Sequence, residues 1–138
     1  MNLARRHQHT AQMPHDLDQP LALLANLSPR EFMESHWQKR PLLIKGAMDV
    51  SRLGLSQKAM FQLAGQAEVE SRVIARKGQS WSLSQGPFSA RKLGGLKADA
   101  WTLLVQGVEQ HHPDAAALLA SFRFLPDARL DDLMVSWA

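Results

Sequence analysis

A helix with defined ends, followed at once by an extended segment, is the feature that most constrains the fold of this chain. Ser28 can accept a hydrogen bond from the first helical turn, Pro29 suits the first helical position, and Glu31 lies three residues after the cap. This capping box predicts a helix of about three turns, which must end before Pro41. Residues 42–45 are then predicted to form a short strand.

One face of that helix carries large side chains. Positions three to four residues apart stack on the same side of a helix. The residues that share this side are Phe32, Met33, His36 and Trp37. His36 therefore lies among apolar neighbours, and a structural role is predicted for it rather than a catalytic one.

The rest of the chain is predicted to mix helices and strands. Helices are predicted over residues 56–64 and 113–124, where capping or proline signals precede apolar residues at helical spacing. A hairpin is predicted over residues 69–84 and a buried strand over 101–108. A last strand is predicted to begin near Leu130 and to find nothing to pair with. The fold class is therefore α+β.

Composition limits the chemistry that the chain can carry. With 138 residues, of which 45% are hydrophobic, it has the size of one domain or part of one. It contains no cysteine, so disulfides, thiolate nucleophiles and cysteine-ligated metal sites are excluded. No apolar run approaches the roughly 18 residues that a membrane-spanning helix needs, and a cytoplasmic location is expected.

The first residues differ in character from those that follow. They are polar, basic and aperiodic, which predicts a disordered tail over residues 1–14 and a folded region over 15–138. His7 and His9 lie in this tail and are predicted to be solvated. Because the change in character falls at Met13, that residue is an alternative start of the natural protein.

The positive charge is concentrated in one sector. The formal net charge is +3, yet six basic residues and no acidic residue fall within 72–97, namely Arg72, Arg76, Lys77, Arg91, Lys92 and Lys97. Such a sector can attract nucleic acid or a ribonucleoprotein surface, although a solvated face balanced elsewhere explains the same charges. The tryptophans are predicted to anchor the core or its boundary rather than to stack on bases. They are Trp37, Trp81, Trp101 and Trp137.

No complete active site is visible among the residues. His112 and Asp114 have the spacing of the H-x-D pair of facial-triad iron sites, but no histidine follows to complete the triad. A helix cap at His112, with Asp114 at the positive helix end, explains the same pair. Asp131 and Asp132 point to opposite sides of a strand, which argues against a proton shared between them.

Several short sequence words occur along the chain in a fixed order. They are residues 36–44 (HWQKRPLLI), 70–74 (ESRVI), 86–88 (GPF, after Trp81), 101–106 (WTLLVQ), 124–127 (FLPD) and 130–134 (LDDLM). In this order they resemble the N-terminal part of the bacterial cupin-fold, JmjC-type ribosomal oxygenases, the group that includes the ribosomal protein arginine 3-hydroxylase. The resemblance covers roughly residues 14–138.

This resemblance implies a fold, an activity and a missing part. Residues 15–138 would be the N-terminal helices and first strands of a double-stranded β-helix, with the barrel incomplete. Members of the family are dimeric Fe(II)- and 2-oxoglutarate-dependent dioxygenases that hydroxylate a ribosomal protein side chain, here expected to be arginine. Their iron-binding motif follows the strand that residues 133–138 match. The chain is therefore expected to be truncated before that motif, to bind no metal or cofactor and to be inactive alone.

No catalytic or metal-binding residue can be assigned from the resemblance. Met134 and Ser136 alternate on the last strand and are the candidates to face the pocket of a complete protein. Two alternatives stay open. The chain is then either a non-catalytic module that binds the ribosome or its RNA through the basic sector, or the product of a decayed gene.

Overall fold

The computed structural model describes residues 16–97 and 100–138, and it divides after Lys45 into two compact units. The predicted tail over residues 1–14, with His7, His9 and Met13, lies outside the described residues. No helix of the described part is long and apolar enough to cross a membrane.

The first unit contains the capped helix, α1, at Pro29–Ser35. Both hydrogen bonds of the predicted capping box are present. The Ser28 hydroxyl accepts from the Glu31 backbone N–H at 3.2 Å, and the Glu31 carboxylate accepts from the Ser28 backbone N–H at 2.8 Å. A 3₁₀ helix, Ala22–Leu24, precedes α1. The sequence prediction for the start of α1 is confirmed.

Two other predictions for this unit are wrong. The helix ends at Ser35 after about two turns, with His36 as its C-cap. Gln38 then adopts a φ of 55°, which a right-handed α-helix cannot contain. Residues 42–45 form no strand. A short apolar run becomes a strand only where another strand offers hydrogen bonds, and Leu43 is instead 84% exposed.

The second unit, residues 46–138, contains a four-stranded antiparallel sheet in the order β2-β1-β3-β4. The strands are β1 Ser71–Lys77, β2 Ser80–Gln85, β3 Ala100–Val105 and β4 Val135–Trp137. The predicted hairpin is confirmed as β1 and β2. Gly78 has a φ of 58° in its turn, a left-handed conformation that glycine adopts at little cost. The sheet is open, in agreement with the predicted α+β class and incomplete barrel.

The prediction that the last strand has nothing to pair with is wrong. β4 lies antiparallel to β3 at one side of the sheet. The opposed pairs are Leu103 with Trp137, Leu104 with Ser136, and Val105 with Val135. Strands that are neighbours in a sheet need not be neighbours in sequence. The sequence therefore does not show that β3 has a side free to pair with β4.

Helices cover one face of this sheet. They are α2 Gln57–Leu63, α3 Ala90–Gly94 and α4 Pro113–Ala120, with 3₁₀ helices at Val50–Leu53, Val108–Gln110 and Asp127–Arg129. Both predicted helices exist, and each is shorter than predicted. Alternate residues of β1 and β3, such as Val73 and Leu103, join Met60 of α2 and Leu93 of α3 in one buried cluster. The opposite face of the sheet therefore carries the intervening side chains.

Candidate functional site

The segment before β4 is held by two acidic side chains. The Asp132 carboxylate accepts a hydrogen bond from the Gly107 backbone N–H at 2.9 Å. The Glu109 carboxylate accepts one from the Leu133 backbone N–H, also at 2.9 Å. Gly107 has a φ of 61°, so the chain turns sharply where it receives Asp132. These two hydrogen bonds fix the segment that leads into β4, and with it the register of β4 on β3.

An apolar groove of about 560 Å³ runs beside β4. Three parts of the second unit form its wall: the segment that precedes α2, the helix α4, and β4 with the two residues before it. The lining residues are Ser51, Leu53, Leu55, Leu118, Leu133, Met134, Val135, Ser136 and Trp137. Met134 is 46% exposed, and Ser136 lies opposite Leu104. The two residues proposed from the sequence to face the pocket of a complete protein both line this groove, and their place in that pocket stays a prediction.

A second, acidic pocket of about 280 Å³ lies near the start of β1. It is lined by Glu68, Glu70, Gln106, Gly107, Gln110, His111, Asp131 and Asp132. Asp132 is already bonded to Gly107, and the Gln106 side chain donates to it at 3.5 Å. Within residues 16–97 and 100–138, no group of three His, Cys, Asp or Glu side chains is placed to hold a metal ion.

The H-x-D pair of the sequence lies at the start of α4. His112 occupies the N-cap position without a side-chain capping bond, and Asp114 lies in the first turn. Both approach Gly54: a Cβ atom there would lie 3.7 Å from His112 Nε2 and 3.8 Å from Asp114 Oδ2. No third ligand accompanies them among the described residues. The pair therefore lies at the start of α4, and among the residues that the structure describes it forms no triad.

His36 is half-buried in the first unit. Its ring stacks on Phe32, with 6.1 Å between ring centroids and 11° between ring planes, and Trp37 lies 6.3 Å from Phe32. The aromatic face predicted for α1 is therefore present at the end of the helix. This packing agrees with the structural role predicted for His36.

The structure separates the six basic residues of the predicted sector. The Arg72 guanidinium donates a hydrogen bond to the Gln106 side-chain oxygen and lies 4.0 Å from the Glu70 carboxylate. Arg72 is therefore paired within the chain. Lys92 lies 4.9 Å from the Phe88 ring centroid, and Arg91 is exposed on α3. The other three, Arg76, Lys77 and Lys97, line one groove of about 270 Å³ at the turn end of the hairpin.

The prediction that all four tryptophans are core or boundary anchors is wrong for Trp81. Trp81 is 68% exposed, whereas Trp37, Trp101 and Trp137 are half-buried. Trp81 lies opposite Arg76 in the β1–β2 register and therefore on the sheet face away from the core cluster. Counting back from the two-residue turn would have shown this pairing in the sequence.

Known proteins resemble this chain over most of its length. No family model matches it. It is 40% identical over 108 residues, 78% of its length, to the ribosomal protein uL16 3-hydroxylase of Escherichia coli (strain K12). A solved ribosomal oxygenase from Escherichia coli covers 86% of the chain with a TM-score of 0.68 and 38% identity. A solved structure of the Escherichia coli ribosomal oxygenase with cobalt and 2-oxoglutarate bound covers 87% of the chain, with a TM-score of 0.69 and 37% identity. The chain spans 28% of the length of the first of these relatives and 31% of the solved chains.

Proposed function

We propose that this chain, a homologue of the bacterial ribosomal oxygenases over 78% of its length, is the N-terminal part of an Fe(II)- and 2-oxoglutarate-dependent dioxygenase. The proposed reaction is hydroxylation of an arginine side chain in a ribosomal protein, in the cytoplasm. The observation that carries the proposal is the 40% identity over 108 residues to a ribosomal protein 3-hydroxylase. The cobalt and 2-oxoglutarate bound to a relative support the class of chemistry.

In this proposal the chain supplies structure to the enzyme. No chemical step is assigned to its described residues, among which no group of three candidate metal ligands occurs. Their share is the open sheet and the apolar groove, with Met134 and Ser136 facing the substrate or cofactor pocket of the whole protein. The bonds from Asp132 and Glu109 fix β4, and with it the position of this wall.

A chimera tests whether the chain can play this part. Residues 16–138 replace the matching part of the Escherichia coli hydroxylase, and the chimera is incubated with uL16, Fe(II) and 2-oxoglutarate. Mass spectrometry of uL16 is expected to show the addition of one oxygen atom with the chimera and none with the 138-residue chain alone. A folded chimera that leaves uL16 unmodified would contradict the proposal.

A matched pair of substitutions tests the role of the groove. In the chimera, Met134→Lys places a charge on the groove wall and is expected to reduce hydroxylation strongly, because an apolar surface cannot solvate an ammonium group. Leu43→Lys makes the same kind of change at a residue that is 84% exposed and is expected to leave the rate unchanged. Equal rates for the two variants would remove Met134 from the proposed pocket.

A further inference from the structure

The strand β2 is paired on one side only. In the sheet order β2-β1-β3-β4 it bonds to β1, and the described part of the chain places no strand on its other side, which we call the outer edge of β2. We propose that the outer edge of β2 pairs antiparallel with the same edge of a second copy of this chain. The inference is independent of the proposed hydroxylation, because it rests on the hairpin alone.

β2 lacks the features that commonly protect an edge strand. Five of its six residues are exposed, and its sequence, SWSLSQ, contains no charged residue and no proline. Trp81 is 68% exposed and Leu83 is 59% exposed, which makes them the two most exposed large apolar residues that the structure describes in the second unit. Exposed apolar side chains beside unpaired strand groups favour pairing with another strand.

The hairpin determines which backbone groups point to the outer edge. Its turn has two residues, 78–79, so Ser80 and its partner on β1 are a hydrogen-bonded pair. Such pairs alternate along an antiparallel ladder. The Gly86 N–H donates to the Ser71 carbonyl at 2.8 Å, which places residue 86 in the same alternation as residue 80. The residues of β2 whose N–H and C=O groups point outward are therefore Trp81, Leu83 and Gln85.

A two-fold axis through Leu83 satisfies all of these outward groups. Leu83 is the middle residue of the three, so it lies opposite Leu83 of the second copy, and Trp81 lies opposite Gln85 of the second copy. Each opposed pair exchanges two hydrogen bonds, which gives about six between the copies. A shift by one residue opposes outward groups to inward ones, and a shift by two leaves an outward residue without a strand partner. This self-complementary register identifies a second copy as the partner.

The side chains that this register brings together are compatible on both faces of the sheet. On the face away from the core cluster, Ile74 lies beside Leu83 in the hairpin, so Ile74 and Leu83 of each copy form one apolar row across the axis. On the other face, Ser82 of one copy lies opposite Ser84 of the second copy, and their hydroxyl groups can share hydrogen bonds. The pairing therefore buries apolar surface without opposing any charges.

The cations of β1 do not prevent this pairing. The Arg76 guanidinium carbon lies 5.8 Å from the Trp81 ring centroid, on the face away from the core cluster. In the paired sheet, the next cation in that row is Arg72 of the second copy, three strand spacings or about 14 Å away. Exposed charges are largely screened beyond about 8 Å at physiological ionic strength. Because β2 itself carries no charge, its complement is another uncharged strand, and a second copy provides one.

The proposed pairing is small and closes at two copies. Each chain has one β2, and a two-fold contact uses the same edge on both sides. Six residues of strand are about 20 Å long, so the contact is smaller than the roughly 800 Å² per partner of a standard interface. A weak dimer is therefore expected, with a dissociation constant on the order of 100 μM.

Sedimentation equilibrium of the 138-residue chain tests for this dimer. From about 5 μM to about 1 mM, the average mass is expected to rise from the monomer mass of 15.4 kDa towards twice that value. A mass that stays at the monomer value throughout overturns the proposal and leaves the outer edge of β2 to a different protein. Growth beyond the dimer also overturns it, because the two-fold pairing cannot extend further.

Two opposite charges at Leu83 test the position of the axis. Leu83→Lys and Leu83→Glu each oppose two like charges and are expected to raise the dissociation constant at least about tenfold. An equimolar mixture of the two variants is expected to associate again, because position 83 of one copy faces position 83 of the other. The controls, Leu43→Lys and Leu43→Glu, alter a residue that is 84% exposed in the first unit and are expected to change nothing. Equal effects at both positions, or no recovery in the mixture, contradict the proposed axis.

Cross-linking through a single introduced cysteine tests the register, since the chain has no cysteine of its own. Leu83→Cys places two Cα atoms about 5.5 Å apart, within the range of a disulfide, and is expected to give a covalent dimer on mild oxidation. Trp81→Cys places its two copies about 14 Å apart and is expected to cross-link little unless it is mixed with Gln85→Cys. Circular dichroism melting confirms that each variant is folded. Equal cross-linking of Leu83→Cys and Trp81→Cys, read by non-reducing electrophoresis, overturns the register.

Discussion

The two units of this chain hold their shape by different means. In the first, α1 is fixed by reciprocal bonds between Ser28 and Glu31, which are only three residues apart. In the second, the buried cluster joins residues as distant in sequence as Met60, Val73 and Leu103. Local bonds define where an element starts, whereas a shared core decides how elements stand against each other. Substitutions are therefore expected to be most harmful where distant segments meet.

The largest expected effect is in the core of the second unit. Leu103 is fully buried in β3, between β1 and β4, and its truncation in Leu103→Ala leaves a cavity among distant segments. The free energy of unfolding is expected to fall by about 2–5 kcal/mol, measured by urea denaturation. The control, Leu83→Ala, removes the same atoms from a residue that is 59% exposed and is expected to cost below about 0.5 kcal/mol. Similar losses in both would show that the buried cluster does not dominate stability.

A smaller effect is expected from a long-range polar bond of the same unit. Asp132→Ala leaves the Gly107 N–H without its carboxylate acceptor and releases the approach to β4. A loss of about 1–3 kcal/mol is expected in the same denaturation experiment. The exposed neighbour Asp131 is the control, and Asp131→Ala is expected to change stability by less than about 0.5 kcal/mol. Equal losses would show that charge repulsion, and not the bond, determines the effect of Asp132.

The local bonds of the first unit are expected to contribute less. Ser28→Ala removes the side-chain cap of α1 and one of the two hydrogen bonds to the Glu31 carboxylate, and a loss of about 0.5–2 kcal/mol is expected. The comparison is Ser56→Ala in the second unit, because Ser56 caps α2 through a single bond of 3.3 Å to the Ala59 N–H. The Ser28 variant is expected to lose more helicity by circular dichroism. A greater loss from Ser56→Ala would reverse the ranking of the two caps.

The same contrast explains what the sequence predicts and what it does not. The start of α1 follows from Ser28 and Glu31 alone, and the hairpin follows from a two-residue turn at Gly78. The partner of β4 depends on which side of β3 is free, which no local signal encodes. Residues 42–45 have no partner strand in the described part of the chain. Their apolar character alone was therefore not enough to predict a strand.

The candidate site shows the same limit. Met134 and Ser136 were placed by alternation on one strand, but the groove that they line also needs Leu53 and Leu118 from segments far away in sequence. Trp81 was misjudged because β1 carries apolar residues on both faces, such as Val73 and Ile74, so period-two alternation did not show which side of the hairpin is buried. Charge counting found the basic sector, yet only contacts showed that Arg72 is engaged by Gln106.

The smallest expected effect is a pH dependence of α1. Hydrogen bonds from the Ser28 backbone N–H and then from its hydroxyl lower the pKa of the Glu31 carboxyl below its ordinary value. Because the folded pKa lies below the unfolded one, the capping box contributes its full stability above the unfolded pKa. That contribution is lost as the pH falls through the folded pKa, when Glu31 takes up a proton.

Nuclear magnetic resonance titration of the Glu31 carboxyl carbon measures this shift directly. Ser28→Ala removes the hydroxyl but keeps the backbone N–H, which is the larger cause, so it is expected to raise the pKa of Glu31 only part of the way to its ordinary value. Glu31→Gln is expected to remove this contribution to the pH dependence of unfolding while keeping a side-chain acceptor for the Ser28 N–H. A pKa of Glu31 that is unchanged by Ser28→Ala would assign the whole shift to the backbone bond, and the Ser28 hydroxyl would then support the cap only as the acceptor for the Glu31 N–H.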